Sequence, residues 1–185
     1  MKTVFFSLLL FLFSFPLSAE ERDRTISVLA HGELYQLAQD PAVATAVISQ
    51  NSKKITLEQI VRQDKTWQSS KEISPLMKQV LENDCAKYLH SLKKTRPYLA
   101  EIFVMDNLGA NVATTNRTSD YWQGDEAKFQ KAMNKGAGAV VIDALEFDES
   151  AQVELIQVTV PVMLQEEAIG AVTFGIDPKK LLGKK

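Results

Sequence analysis

The chain has 185 residues, 45% hydrophobic and 24% charged, with a formal net charge of −2. That near-neutral, slightly acidic balance excludes a nucleic-acid grip, which calls for a basic patch. Cys85 is the only cysteine, so no internal disulfide can form, and a chain of this size can build a core without one.

The first nineteen residues read as an export signal and not as part of the fold. Lys2 supplies a positive charge, Val4 to Phe15 is almost unbroken apolar sequence, and Pro16-Leu17-Ser18-Ala19 ends in a small residue suited to cleavage. Residues 1–19 are therefore expected to be removed, leaving a periplasmic protein that starts at Glu20. An uncleaved anchor is the competing reading, although the run is short for a bilayer span.

Residues 20–96 read as helices. Ile26, Leu29, Ala30, Leu34, Leu37 and Ala38 recur at helical spacing and form one apolar stripe. Asp40-Pro41 is a cap followed by proline at the first helical position, opening a helix through Ala42–Ile48. Thr56-Leu57-Glu58-Gln59 fits a capping box, and its helix should carry Leu57, Ile60, Val61 and Trp67 on one side. Ser74-Pro75 repeats the cap-then-proline signal. Met77, Val80, Leu81, Cys85, Tyr88, Leu89 and Leu92 then make one long stripe, with Cys85 inside it as a buried, inert thiol. His31 and His90 lack ligand spacing and read as solvated.

After Pro97 the period changes. Glu101–Met105 is a strand, Asp106-Asn107-Leu108-Gly109 a tight turn, and Asn111–Thr115 a second strand. Asp125 is placed to cap a helix from Glu126 to Asn134, with Phe129, Ala132 and Met133 inward. Lys135-Gly136-Ala137-Gly138 closes it. Strands follow at Ala139–Phe147, Val153–Leu164 and Ala168–Ile176, the last two joined by Gln165-Glu166-Glu167. Ile156, Val158, Val160 and Val162 point one way, and Gln157 and Thr159 the other. One face is greasy and the other semi-polar, as in a sheet packed on helices behind and lining a cavity in front. The fold class is α+β, with long N-terminal helices on a five-stranded antiparallel sheet.

Between the second strand and the helix lies Asn116-Arg117-Thr118-Ser119-Asp120-Tyr121-Trp122-Gln123-Gly124-Asp125-Glu126. Charged, hydroxyl and aromatic residues crowd a loop on a rigid scaffold, the kind of segment that grips ligands. Arg117 has the planar fork for a carboxylate, or is a solvated loop arginine. Asp120 and Asp125 suit an ammonium group, although Asp125 is equally read as a helix cap. Ser119 adds a hydroxyl. Tyr121 and Trp122 form an aromatic wall, or plug the loop onto the sheet. Gln157 and Thr159 would hydrogen-bond a ligand from below, while Asp148 and Ser150 read as a turn.

These pieces resemble the Cache domains, PAS-like extracytoplasmic sensor modules, and in particular exported single-Cache proteins. The resemblance rests on Asp40-Pro41, Ala46-Val47, Gln50-Asn51, Glu101 to Asp106 and Asn111-Val112-Ala113. It continues through Thr118 to Glu126, Phe147-Asp148-Glu149-Ser150, Ile169-Gly170-Ala171 and Gly175. It implies a single sensor domain over 20–185, with a ligand pocket on one sheet face and a long helix on the other. The implied ligand is an amino acid, an amine or an organic acid. Family members are commonly built between two membrane helices. Here the chain runs out at Lys184-Lys185 with no second such helix, so the expected signal passes to a partner such as a membrane receptor or kinase.

Two rival readings stand beside the sensor. One is an interaction protein without a small ligand, dimerising through its N-terminal helical stripe. The other is a hydrolase using Asp120 and Asp125 as acid and base. No nucleophile motif, metal-ligand set or phosphate loop accompanies that pair, so no cofactor and no catalysis are expected. Asp120, Asp125, Glu126 and Asp148 have the oxygens for calcium but not the compact spacing of a known loop.

Overall fold

The computed structural model describes residues 19–148 and 152–183. Residues 1–18 of the expected export signal lie outside the described residues, as do Glu149 and Ser150 of the expected turn and the final two lysines.

The chain opens with a continuous helical rod made of α1 (Ala19–Leu29), a π-helical turn (Ala30–Leu34) and α2 (Tyr35–Ala38). Its stripe of Ile26, Ala30, Leu34 and Ala38 is buried in the main core, with Leu29 and Leu37 packed beside it. The helix α3 (Pro41–Ser52) starts where the sequence places it, since the Asp40 carboxylate accepts the Ala42 amide. In α4 (Leu57–Ser69) the capping box is complete: the Thr56 hydroxyl accepts from the Gln59 amide, and Gln59 Oε1 accepts from the Thr56 amide. Ile60 and Trp67 of α4 are buried, whereas Leu57 is exposed, contrary to expectation. It sits at the first helical position, one turn before the first buried residue of the helix, Ile60.

The long stripe expected over Met77–Leu92 is two helices, α5 (Pro75–Glu82) and α6 (Asp84–Thr95). Asn83 makes the break. Its extended backbone ends one helix, its side-chain oxygen accepts the Ala86 amide of the next, and its Nδ2 donates to the carbonyl of Val112. The apolar period survives the break, so periodicity alone could not reveal it. Cys85 is buried and its thiol is pushed up to about 12 by burial, as expected of an inert core cysteine.

The strands are β1 (Leu99–Met105), β2 (Asn111–Thr114), β3 (Val141–Asp148), β4 (Val153–Leu164) and β5 (Glu167–Ile176). They form one antiparallel sheet in the order β2-β1-β5-β4-β3. The register sorts the side chains into rows. Ile102, Phe174 and Val158 align on the helix-packed face, as do Val104, Val172 and Val160. On the other face run Glu101–Gly175–Gln157, Phe103–Thr173–Thr159 and Met105–Ala171–Pro161. The greasy and semi-polar faces read from β4 are thus the two faces of the whole sheet.

That second face is partly covered by α7 (Ala127–Met133), whose Phe129 and Ala132 pack on Phe103, Met105 and Ala171. Its N-cap is Glu126 and not Asp125, and no side chain caps it. A short helix, α8 (Pro178–Leu181), follows β5, capped by Asp177. Leu164 pairs with Glu167, so the β4–β5 turn has two central residues where three were expected, with Gln165 in the left-handed region.

The β1–β2 turn carries a severe constraint. The Asp106 carboxylate accepts from the amides of Leu108 and Ala110, and Gly109 sits at φ +86°. A Cβ on Gly109 would lie 2.4 Å from the Cα of Gly124 in the pocket loop. Gly109→Ala adds left-handed strain to a backbone clash and is expected to lower the unfolding free energy by at least ~2 kcal/mol. Urea denaturation of the variant against the parent measures it.

Candidate functional site

The loop from Asn116 to Glu126 has little regular structure, so its backbone groups need partners elsewhere. It finds them on α4. Asp64, 8% exposed, accepts the amides of Tyr121 at 2.8 Å and Trp122 at 3.1 Å through one carboxylate oxygen. Trp67 Nε1 donates to the Thr118 carbonyl at 2.8 Å, and Gln68 Nε2 bridges Asp64 to the Asp120 carboxylate. Arg117 completes the attachment by donating to the carbonyls of Trp67 and Ser70, both at 2.8 Å. A guanidinium at the carbonyl end of a helix satisfies orphan acceptors and meets the negative end of the dipole.

The inner side of the loop is tied to the first hairpin. Asn111 Nδ2 donates to the Thr118 hydroxyl and to the Asp120 carbonyl, the Gln123 amide donates to the Gly109 carbonyl, and Trp122 Nε1 donates to the Leu108 carbonyl. Tyr121 is 1% exposed and lies 5.6 Å, centroid to centroid, from the Trp67 ring. Burial pushes its hydroxyl up to about 12.

Held this way, the loop roofs a cavity of about 460 Å³ over the open end of the sheet's second face. Glu101, Phe103 and Gln157 form its floor, Thr118, Ser119 and Gln123 its roof, and Glu126, Lys128 and Asp148 its side. A second cavity of about 320 Å³ shares Glu126, Lys128, Asp148 and Gln157 and extends along β3 past Asp143 and Phe147. Volumes of this size suit a small molecule.

Glu101 dominates the floor. It is 8% exposed, yet its hydrogen-bond partner among the described residues is a neutral amide, Gln157 Nε2 at 3.0 Å. The pair spans β5 because Gly175 stands between them: a Cβ there would meet Glu101 Cγ at 2.4 Å. Burial holds the Glu101 carboxyl above its usual range. The Gln157 bond opposes that, Asp148 adds to it, and Lys128 and Lys93 oppose it. Lys128 is itself engaged, its Nζ 2.7 Å from Glu126 and 5.8 Å from the centre of the Phe103 ring.

Of the residues the sequence singled out, Ser119 and Gln157 line the cavity. Thr159 lies on the same face one row deeper, fully buried and hydrogen-bonded to Thr173 at 2.9 Å. Asp120 turns to Gln68 and Ser119, Asp125 is exposed, and Arg117, Tyr121 and Trp122 are spent on helix-end and core contacts. Glu101, Phe103, Gln123, Glu126 and Lys128 were not singled out as ligand contacts. One signal for Glu101 was present: a glutamate in an otherwise apolar strand, on the same side as Phe103 and Met105. Among the described residues no group of three or more histidine, cysteine or acidic side chains is placed to hold a metal ion.

A five-stranded antiparallel sheet with long helices on one face, and on the other a loop-roofed cavity, is a Cache/PAS-like fold. The structure is similar to the sensor domain of the V. cholerae histidine kinase DctB, with TM-score 0.51 and 13% identity over 85% of this chain and 52% of that one. The chain thus spans about half the length of that domain. Looser likenesses are to the ligand-binding domain of the Campylobacter jejuni chemoreceptor Tlp3 in complex with 4-methylisoleucine (TM-score 0.42, 12% identity, 88% of this chain and 62% of that one) and to the E. coli DcuS sensor domain (TM-score 0.42, 19% identity, 68% and 91%). No protein-family model and no curated protein matches the chain by sequence.

Two predictions follow from these bonds. Asp64→Ala removes a shared acceptor from two buried amides and is expected to cost about 2–4 kcal/mol. Because both tryptophans, Trp67 and Trp122, belong to the attachment, intrinsic fluorescence will report the loosening before global unfolding. Glu101 has a folded pKa above its unfolded one, so its contribution to stability is full below the unfolded value and is lost as pH rises through the folded one. Glu101→Gln keeps the acceptor for Gln157 and is expected to unfold at higher urea than the parent at neutral pH. The difference should close as pH falls below about 4.3, the ordinary glutamate value.

Proposed function

We propose that residues 20–185 are one Cache-like unit, exported to the periplasm, that binds a small molecule and passes the event to a separate protein such as a membrane receptor or kinase. The observation that carries this reading is the cavity between the pocket loop and the sheet. It has a buried, incompletely satisfied carboxylate on its floor and polar groups on every side. A core built only for stability would fill such a volume or pair such a group.

The likeness of fold to a histidine kinase sensor domain supports the sensory role. Export is supported by the leader-like sequence of residues 1–19, and among the described residues no helix is long and apolar enough to cross a membrane. No hydrolase centre is favoured, because Asp120 is held by Gln68 and Ser119 while Asp125 points into solvent.

A thermal-shift screen of the purified protein against amino acids, amines, organic acids and divalent ions tests the reading, since a ligand that binds the folded state raises the melting temperature by mass action. At a concentration a hundred times Kd the gain is about 2.7 kcal/mol, several degrees for a chain of this size. A saturable shift in one chemical class is expected. A flat panel would leave the interaction reading, without a small ligand, in its place.

A further inference from the structure

The charges around the cavity say which end of a ligand it holds, and this inference rests on the sensor reading above. An anionic ligand needs a cation free to meet it. The sequence offered Arg117 for that role, but both of its bonds go to the end of α4. Lys128, the cation in the cavity lining, is already paired with Glu126, and Lys93, whose charge also reaches Glu101, lies outside that lining and donates to Asn116. Opposite stand Glu101 and Asp148, close enough that Asp148 opposes the ionisation of Glu101. In the adjoining cavity Asp143 and Glu146 add two more carboxylates. A carboxylate entering here would meet like charge at the floor, from Glu101, and at the side, from Asp148.

A positively charged group meets the reverse. It would give Glu101, more than nine-tenths buried and hydrogen-bonded to a neutral amide among the described residues, a directly bonded counter-charge. Gly175 lets the Glu101 side chain lie across β5 toward Gln157, and the space for the cation is the cavity of about 460 Å³ that Glu101 lines. The surroundings suit an organic cation better than a metal ion. No metal-ligating group of three is present among the described residues, while Phe103, Leu155 and Phe147 offer apolar surface for a carbon skeleton.

We infer that the cavity binds a ligand through its ammonium group, which is received by Glu101 against the floor of the sheet with Asp148 flanking it. The ligand class is therefore amines and amino acids, and organic acids lacking an amine are excluded. Gln157 is a positioning residue: it fixes one oxygen of Glu101 by donating to it.

Isothermal titration of the purified protein with ethylamine, putrescine, L-alanine, succinate and calcium chloride, repeated on Glu101→Gln and Asp148→Asn, tests this. At least one of the three ammonium-bearing probes is expected to bind. Glu101→Gln should weaken it roughly tenfold to a hundredfold, the loss of one charge-assisted hydrogen bond, with a thermal melt confirming that the variant is folded. Asp148→Asn should weaken it less. Binding of succinate or calcium alone would overturn the ammonium assignment and leave the sensor reading standing. So would binding of an ammonium probe that Glu101→Gln does not alter. Silence from all five probes, with silence in the wider thermal-shift screen, would overturn both.

Discussion

The site depends on a single carboxylate that belongs to neither the sheet nor the pocket. The loop that closes the cavity runs through Tyr121 and Trp122 with its amides turned away from the sheet, and no strand is available to receive them. Asp64 of α4 takes both amides on one oxygen, and Gln68 takes the other oxygen. Once the backbone is fixed at 121 and 122, the Tyr121 ring is seated against Trp67, and Thr118 and Ser119 are left facing the cavity. The roof of the pocket and the helix α4 therefore move together or break the bonds between them. A ligand can shift this pair only by contacting the roof differently in two states, and Thr118, Ser119 and Gln123 are where such contact is made.

The floor is set by a different constraint, the two-residue period of the sheet. Because β1, β5 and β4 are in register, each row across them has one chemistry: carboxylate, gap and amide in the Glu101 row, ring and hydroxyls in the Phe103 row, methyls and sulfur in the Met105 row. Polarity falls along the strands toward α7, which covers the apolar end and leaves the Glu101 row open. The cavity lies where the helix stops. Thr159 follows from the same gradient, since its row is already under cover and its hydroxyl is satisfied by Thr173.

Much of this was legible in the sequence wherever the chemistry is local. Asp40-Pro41, Thr56 with Gln59, Ser74-Pro75 and the Asp106 turn each bond within a few residues of themselves, so their types suffice to place them. The alternation of β4 likewise shows two faces without any partner strand. Asn83 was missed because helical periodicity runs through it, although an Asn-Asp pair in mid-stripe is itself a cap signal. The pocket loop misled for a related reason. Its composition correctly marks a segment rich in directed bonds, but composition cannot say toward which neighbour each side chain turns. Arg117 answers to the end of a helix far away in the chain, and Trp122 to the carbonyl of Leu108.

Glu101 is where the demands of folding and of binding part. A buried carboxylate with one amide partner weakens the folded state as it ionises, and glutamine in its place would keep the hydrogen bond without the charge. Around it stand a glycine whose missing Cβ lets the glutamate lie across β5, and a second carboxylate that raises the cost of ionisation. The buried charge and its like-charged neighbour both lower stability. On the ammonium proposal, a positive charge arriving from outside would return that free energy on binding. The departure from good core chemistry at this one row is accordingly the clearest mark of function in the molecule.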